Sequence, residues 1–365
     1  MRGFMRRIDT IQSHYRLVAA LLMAPLPICA QSVQIGYSNC VEVASYPDSV
    51  MQDAGKLRWF FAHASVGNNM MDGIDALHVE DPTRYPYHRV WEDEVPPNST
   101  SDGALYAFWR GNPGWVVKFD SFAGYLSNGW CYPKVNLVAN KLCFVDQDAS
   151  LEYYISSMTN LEAAFPETLL VYMTMPLMTT TDENNVKRNV YNQELRAWTK
   201  ANDRVLFDVA DIEAHDTNGS PCLFTNNDQT YQRLSESYVA PGDDGHLNPE
   251  GKRLVALGFY ALAAALFSID RDKDGMMDGQ ELIAGTRPMD RSSVLRLQAS
   301  LARRKTILLS WQSATNRMYT LQRASNFGGF TDLAEVIATP PTNFYKDTPG
   351  TPGPFFYRVV PRQLP

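Results

Sequence analysis

The stretch KLRWFFAHASVGNN, residues 56–69, decides how this chain is read. Lys56 to Ala62 is a short aromatic run suited to a buried strand. Residues 63–69 then turn sharply, and Met70 to Leu77 takes up helical spacing. Strand, tight turn and helix expose the hydroxyl of Ser65 at the start of a helix. The positive end of that helix favours negative charge developing on a bound carbonyl oxygen. A serine needs a base to become a nucleophile near neutral pH, and the base needs an orienting acid. Asp243 and His246, in the loop GDDGH (242–246), can supply both. Asn248 then caps a helix that opens with Pro249. Each motif has a plain alternative: Ser65 as a helix N-cap, and Asp243 with His246 as a polar loop before the next helix.

Outward from these motifs, strand-like runs alternate with helical ones. Val135–Val145, Thr168–Met175 and Arg204–Ala210 read as strands; Leu151–Phe165, Asn185–Ala201 and Leu254–Phe267 read as helices. Asp81–Trp130 is rich in Pro, Gly and aromatics and reads as loops with a short helix. The alternation predicts an α/β domain with a mostly parallel sheet, whose active site lies at the carboxyl ends of the strands. Leu254–Phe267 is almost wholly apolar but too short to span a bilayer.

HASVGNN after a first strand and DDGHLNPEGKRLVA before a late helix resemble the SGNH (GDSL-type) hydrolases, and YNQELRAW and VLFDVADIEA are similar to that family's late helix and fifth strand. The resemblance spans about residues 56–268. It implies a three-layer α/β/α, flavodoxin-like fold with a five-stranded sheet, and a Ser65–His246–Asp243 triad. Oxyanion donors implied by it are the backbone of Ser65 and Gly111 in WRGNPGW, with Gly114 as an alternative. The family's third block carries an asparagine, but here that segment is Cys143-Phe144-Val145-Asp146. Asn112, or a backbone N–H near Asp146, can stand in. His63 is read as packing. Tyr106, Phe108, Trp109, Trp115 and Trp130 form either core or a sugar- or acyl-binding wall.

Composition shifts at Asp270. Asp270, Asp272, Asp274, Gly275, Asp278 and Glu281 match D-x-D-x-D-G-x5-E at every position, with Met276 where such loops offer a backbone carbonyl. The pattern predicts a structural Ca²⁺; the alternative is a solvated acidic linker. The segment 270–288 is similar to calcium-binding linker repeats of secreted bacterial proteins. Beyond it, Thr306–Trp311, Met318–Arg323 and Phe355–Val360 are strand-like, and MYTLQRAS with FFYRVV resembles a fibronectin-III-like module. The expected domains are a signal segment 1–30, a hydrolase domain 31–269, a linker 270–290 and a small all-β sandwich 291–365.

Four arginines ahead of the apolar Leu17–Cys29, with Ala30 after it, read as a secretory signal. Ile28 is a poor residue to precede a lipidated Cys29. Export implies a secreted, periplasmic or cell-surface protein. The net charge of −7 falls to −10 on cleavage after residue 30, so nucleic acid is an unsuited partner. Cys40, Cys131, Cys143 and Cys222 remain and permit up to two disulfides, of which at least one is expected. The reading is a serine esterase that needs no cofactor for its chemistry. Its substrate is a carboxylic ester, with acyl groups on a polysaccharide preferred. An inactive carbohydrate-binding or adhesion protein and an acyltransferase are the competing readings; oligomeric state is left open.

Overall fold

The computed structural model describes residues 32–91, 103–132, 134–302, 306–326, 329–350 and 354–364. The expected signal segment 1–30 lies outside them. Seven strands build the main sheet: β1 (Gln34–Ile35), β2 (Trp59–His63), β3 (His88–Trp91), β4 (Ala104–Trp109), β5 (Leu137–Asn140), β6 (Leu169–Met173) and β7 (Val205–Phe207). Their order is β1-β7-β6-β5-β2-β4-β3, with every neighbouring pair parallel.

Nine helices among the described residues cover the sheet and the junction after it. They are α1 (Tyr37–Glu42), α2 (Asp48–Ala54), α3 (Val66–Glu80), α4 (Trp115–Ser127), α5 (Leu151–Ala164), α6 (Glu183–Ala201), α7 (Val209–Glu213), α8 (Pro249–Leu266) and α9 (Asp278–Ala284). Side-chain alternation along β2 divides the core. Trp59 and Phe61 join Met70, Ile74 and the apolar face of α8 on one side of the sheet. Phe60 and Ala62 join Phe122, Tyr154 and Leu195 from α4, α5 and α6 on the other. A central parallel strand is covered on both faces, so it reads as a continuous apolar run rather than an alternating one. Full burial of a ring such as Phe60, stacked on Phe122 at 5.4 Å, is worth about 1.5–3 kcal/mol.

The three-layer α/β/α architecture is as expected, and β4-β2-β5-β6-β7 is the five-stranded core the resemblance implied. The sheet is wider than that core because β1 and β3 extend its two edges. The largest difference falls in 81–130. Instead of loops with a short helix, it carries β3, β4 and the 13-residue α4. Apart from Gly124 within α4, the described Pro and Gly of this region sit in the connections, and the ALYAFW run of β4 is buried at five of its six positions. A hairpin, β8 (Leu223–Asn226) with β9 (Gln229–Gln232), stands apart from the main sheet.

The C-terminal part folds as β10 (Leu297–Leu301), β11 (Ile307–Gln312), β12 (Arg317–Ala324), β13 (Thr331–Ile337), β14 (Thr342–Asp347) and β15 (Phe356–Gln363). They form two three-stranded antiparallel sheets, β10-β11-β14 and β13-β12-β15, sharing a core of Leu309, Trp311, Tyr319 and Leu321. This small β domain is attached to the α/β domain by buried arginines. Arg58, preceding β2, donates to the Leu364 carbonyl at 2.8 Å. Arg317 of β12 donates to the Leu282 and Ile283 carbonyls at 3.0 and 2.6 Å. No described helix is long and apolar enough to cross a membrane.

Candidate active site

Strand β2 has β5 on one side and β4 on the other, while the chain visits β3 and β4 before crossing to β5. The carboxyl end of β2 is therefore a switch point of the sheet, where such folds leave a crevice. Ser65 stands there. Its backbone has φ 53° and ψ −116°, a left-handed conformation that costs a non-glycine residue on the order of 1–3 kcal/mol. Ser65 occupies the N-cap position of α3, yet its side chain caps nothing. Its hydroxyl instead lies 2.7 Å from His246 Nε2. The plain N-cap alternative for Ser65 therefore fails on geometry.

The base and its partner come from the loop before α8. His246 Nδ1 lies 3.0 Å from Asp243 Oδ2. The other oxygen, Oδ1, accepts the backbone N–H groups of Asp244, Gly245 and His246 at 2.7, 2.9 and 3.0 Å. These donors, His246's first, hold the Asp243 carboxyl down at about 2. Asp243 is thus a carboxylate throughout the neutral and mildly acid range. An ionised carboxylate only accepts, so Nδ1 carries the proton and Nε2 is free to accept from Ser65.

Four contacts hold this loop against the nucleophile. Asn69 Oδ1, on α3, accepts from Leu247 N at 2.9 Å. Thr179 N donates to the Asp244 carbonyl at 2.9 Å. The Phe144 ring meets His246 edge-on at 5.4 Å. Gly245 packs against that same ring so closely that a Cβ there would stand 2.8 Å from it. Asn69 and Phe144 escaped sequence reasoning, because the first lies within the nucleophile motif and the second within an apolar run.

Gly111 follows β4 with φ +68°, a conformation glycine adopts freely, and its carbonyl accepts from Arg110 at 3.3 Å. Gly114 is the N-cap of α4. Asn112 Nδ2 points at Cys143 Sγ, 3.5 Å away. The Cys143 thiol also stands near enough to the Ser65 side chain to be influenced by it. Burial opposes its ionisation, but the charge of Lys141 and bonds from Val145, Ser65 and Asn112 outweigh this and lower it below the ordinary thiol value. Cys143 is therefore a member of the site that the sequence presented only as a missing asparagine.

Cys40, Cys131, Cys143 and Cys222 are all free thiols, contrary to the expected disulfide. The sheet itself separates Cys40 from Cys131, which lie in the cores on opposite faces. His63 is packed, as expected: it is buried and stacked on Phe61 at 5.0 Å, and burial pushes it down to about 3. Of the aromatic group, Tyr106 and Phe108 are buried core and Trp115 and Trp130 pack against it. Only Trp109 is exposed, at the carboxyl end of β4 with its edge toward His63.

Behind the site, Glu213 is fully buried, accepts from Leu177 N at 2.9 Å and is pushed up to about 8 by its burial. The folded chain then keeps a proton that the unfolded chain loses above the ordinary glutamate value. This contribution to stability is full below that value and is lost as pH rises toward about 8. Glu213→Gln keeps the acceptor and removes the titration. Its melting temperature is expected to fall less between pH 5 and pH 8 than that of the wild type; equal slopes would refute the assignment.

In the linker, Asp270, Asp272 and Asp274 gather with ligand oxygens within 4.8 Å of one another. Met276 sits in the same turn and donates its N–H to Asp274 at 2.8 Å. Asp278 departs from the expected ligand set, because its carboxylate is ion-paired with the buried Arg271. Glu281 is fully buried on α9 and held by Thr286 through one oxygen.

No protein-family model and no curated protein matches the chain. Solved structures similar to it include a GDSL-like lipase from Bacteroides thetaiotaomicron, 16% identical with a TM-score of 0.36, covering 63% of this chain and 97% of that one. A protein of the G-D-S-L family from Desulfitobacterium hafniense is 9% identical with a TM-score of 0.35, covering 57% and 99%. An acetyl esterase solved with an acetate ion is 10% identical with a TM-score of 0.28, covering 55% and 92%. Likeness at this level assigns the chain to no family, and what the site does rests on its own geometry.

Proposed function

We propose that the chain is a serine esterase that hydrolyses carboxylic esters through an acyl-enzyme on Ser65. The observation that carries this is the Ser65–His246–Asp243 relay at 2.7 and 3.0 Å on a strained strand-to-helix turn. Ser65 Oγ attacks the ester carbonyl as its proton passes to His246 Nε2. The imidazolium, paired with ionised Asp243, then protonates the departing alcohol. Water repeats the sequence on the acyl-enzyme and releases the acid. The backbone N–H groups of Ser65 and Gly111 and the Asn112 amide receive the oxyanion. Asn112→Ala is expected to lower kcat by on the order of 10²-fold with KM little changed, as for loss of one oxyanion donor. An unchanged kcat would remove Asn112 from that role.

We infer acyl groups on a polysaccharide as the substrate. The His246 and Asp243 side chains are 43% and 33% exposed, so the relay opens to solvent and suits a bulky, solvated ester. Exposed Trp109, at the carboxyl end of β4 with its ring 6.0 Å from that of His63, offers a stacking face for a sugar ring, and the N-terminal signal pattern fits an exported enzyme. The test is hydrolysis of short nitrophenyl esters beside acetylated glycans by wild type and Ser65→Ala. Ester cleavage abolished by Ser65→Ala supports the reading. Wild-type inactivity on every ester would favour the carbohydrate-binding alternative. Acyl transfer to an added sugar in place of acid release would make the protein a transferase.

A further inference from the structure

The junction between the two domains contains a buried carboxylate with one oxygen that no described residue satisfies. Glu281 has no exposed surface, and its Oε2 has no hydrogen-bond partner; Oε1 alone is held, by Thr286 at 3.1 Å. The charges felt by Glu281 include those of Asp272 and Asp274, so it stands beside the linker cluster. Oδ2 of each of those aspartates is likewise buried and unpartnered. Three carboxylate oxygens withdrawn from water and unpaired are costly to keep ionised unless a cation compensates them. Asp270, at the loop's first position, completes the aspartate cluster with Asp272 and Asp274. Of the two cations within the loop, Lys273 is exposed and Arg271 pairs with Asp278 and the Asp203 carbonyl, its remaining buried nitrogen making no hydrogen bond to the cluster.

Helix α9 carries Glu281 and is also where the domains meet. The Leu282 carbonyl accepts Asn136 from the α/β domain at 2.8 Å and Arg317 from the β domain at 3.0 Å. The Ile283 carbonyl accepts Arg317 again at 2.6 Å. Whatever fixes Glu281 therefore fixes a helix that takes hydrogen bonds from both sides.

We propose that a divalent cation of the calcium type, held by Asp270, Asp272, Asp274 and Glu281 without direct help from Asp278, clasps the β domain onto the α/β domain. An all-oxygen set drawn from a flexible loop and one rigid helix favours Ca²⁺ over Mg²⁺, which demands tighter octahedral geometry. Binding to the folded state alone stabilises it by mass action. The clasp is independent of the esterase reading, since none of its residues contacts the Ser65 relay.

The experiment uses the full chain after treatment with a chelator. Calorimetry with Ca²⁺ is expected to show one site that saturates at or below about millimolar concentration, and weaker binding of Mg²⁺. Glu281→Gln and Asp272→Asn should each weaken Ca²⁺ by about 10-fold or more, since each removes a charged ligand. With chelator, limited proteolysis should cut the connection 285–296, and Ca²⁺ should protect it and raise the melting temperature. Absence of Ca²⁺ binding by chain whose circular dichroism shows it folded would overturn the site. Binding with no change in proteolysis or melting would overturn the clasp. The chelator comparison needs only wild-type protein, so a variant that fails to fold leaves the test intact.

Discussion

Ser65→Ala and His246→Ala are each expected to lower esterase turnover by on the order of 10³-fold or more, and the double variant by no more than either alone. The reason is geometric. The hydroxyl and Nε2 share one 2.7 Å hydrogen bond, so losing either partner ends proton transfer to the other. Asp243→Ala should cost less, because the imidazole keeps its basicity when its orientation is lost. The contacts from Asn69, Thr179 and Phe144 would still hold the loop backbone against the nucleophile, although the three N–H groups that Asp243 Oδ1 accepts would lose their partner. The measurement is kcat and kcat/KM on one nitrophenyl ester, with circular dichroism to show that each variant is folded. Near-wild-type turnover by Ser65→Ala would move the nucleophile elsewhere. Fully additive single losses would mean that Ser65 and His246 do not act as a unit.

The largest expected loss of stability comes from Asp146→Ala. Lys118 on α4 is fully buried and ion-paired to Asp146, which is only 5% exposed. Burial pushes the Lys118 ammonium down from its usual value, and Asp146 opposes this. Asp146 Oδ2 also accepts from Cys143 N at 2.7 Å. Truncating Asp146 strands a buried ammonium, which costs about 3–5 kcal/mol in comparable pairs. Replacing both partners, Lys118→Met with Asp146→Ala, removes the orphan charge and should recover part of that loss. Urea unfolding of the two variants decides between these outcomes. A single-variant loss below about 1 kcal/mol would show that the pair is not isolated from water. Asp146→Ala should also reduce turnover of the folded fraction, since the segment 143–146 carries both Cys143 against Ser65 and Phe144 against His246.

Much of the site was legible because its parts are local. Ser65 follows a buried strand within a few residues, and Asp243 and His246 share one loop, so each motif survives as a short word. The calcium-type pattern is local in the same way. The edge strands were not legible. β1 has two residues, below any useful period, and β3 and β4 lie among prolines and glycines that mark their connections. The disulfide expectation failed because a cysteine count carries no information about which face of the sheet each thiol lies on.

Hydrophobic runs and their spacing were enough to set the alternation of strands and helices, hence the α/β class, the position of Ser65 at a strand end and the late helix after His246. Burial decided the rest. Packing across the sheet brings residue 65 within 2.7 Å of residue 246, and no sequence period encodes that distance. It also places a thiol beside the nucleophile, turns Asp278 away toward Arg271, and leaves Glu281 buried with an unpaired oxygen. The physical reason is the same in each case. Propensity and pattern act over a few residues of chain, whereas the partner of a buried polar atom is chosen by which distant segments the core brings together.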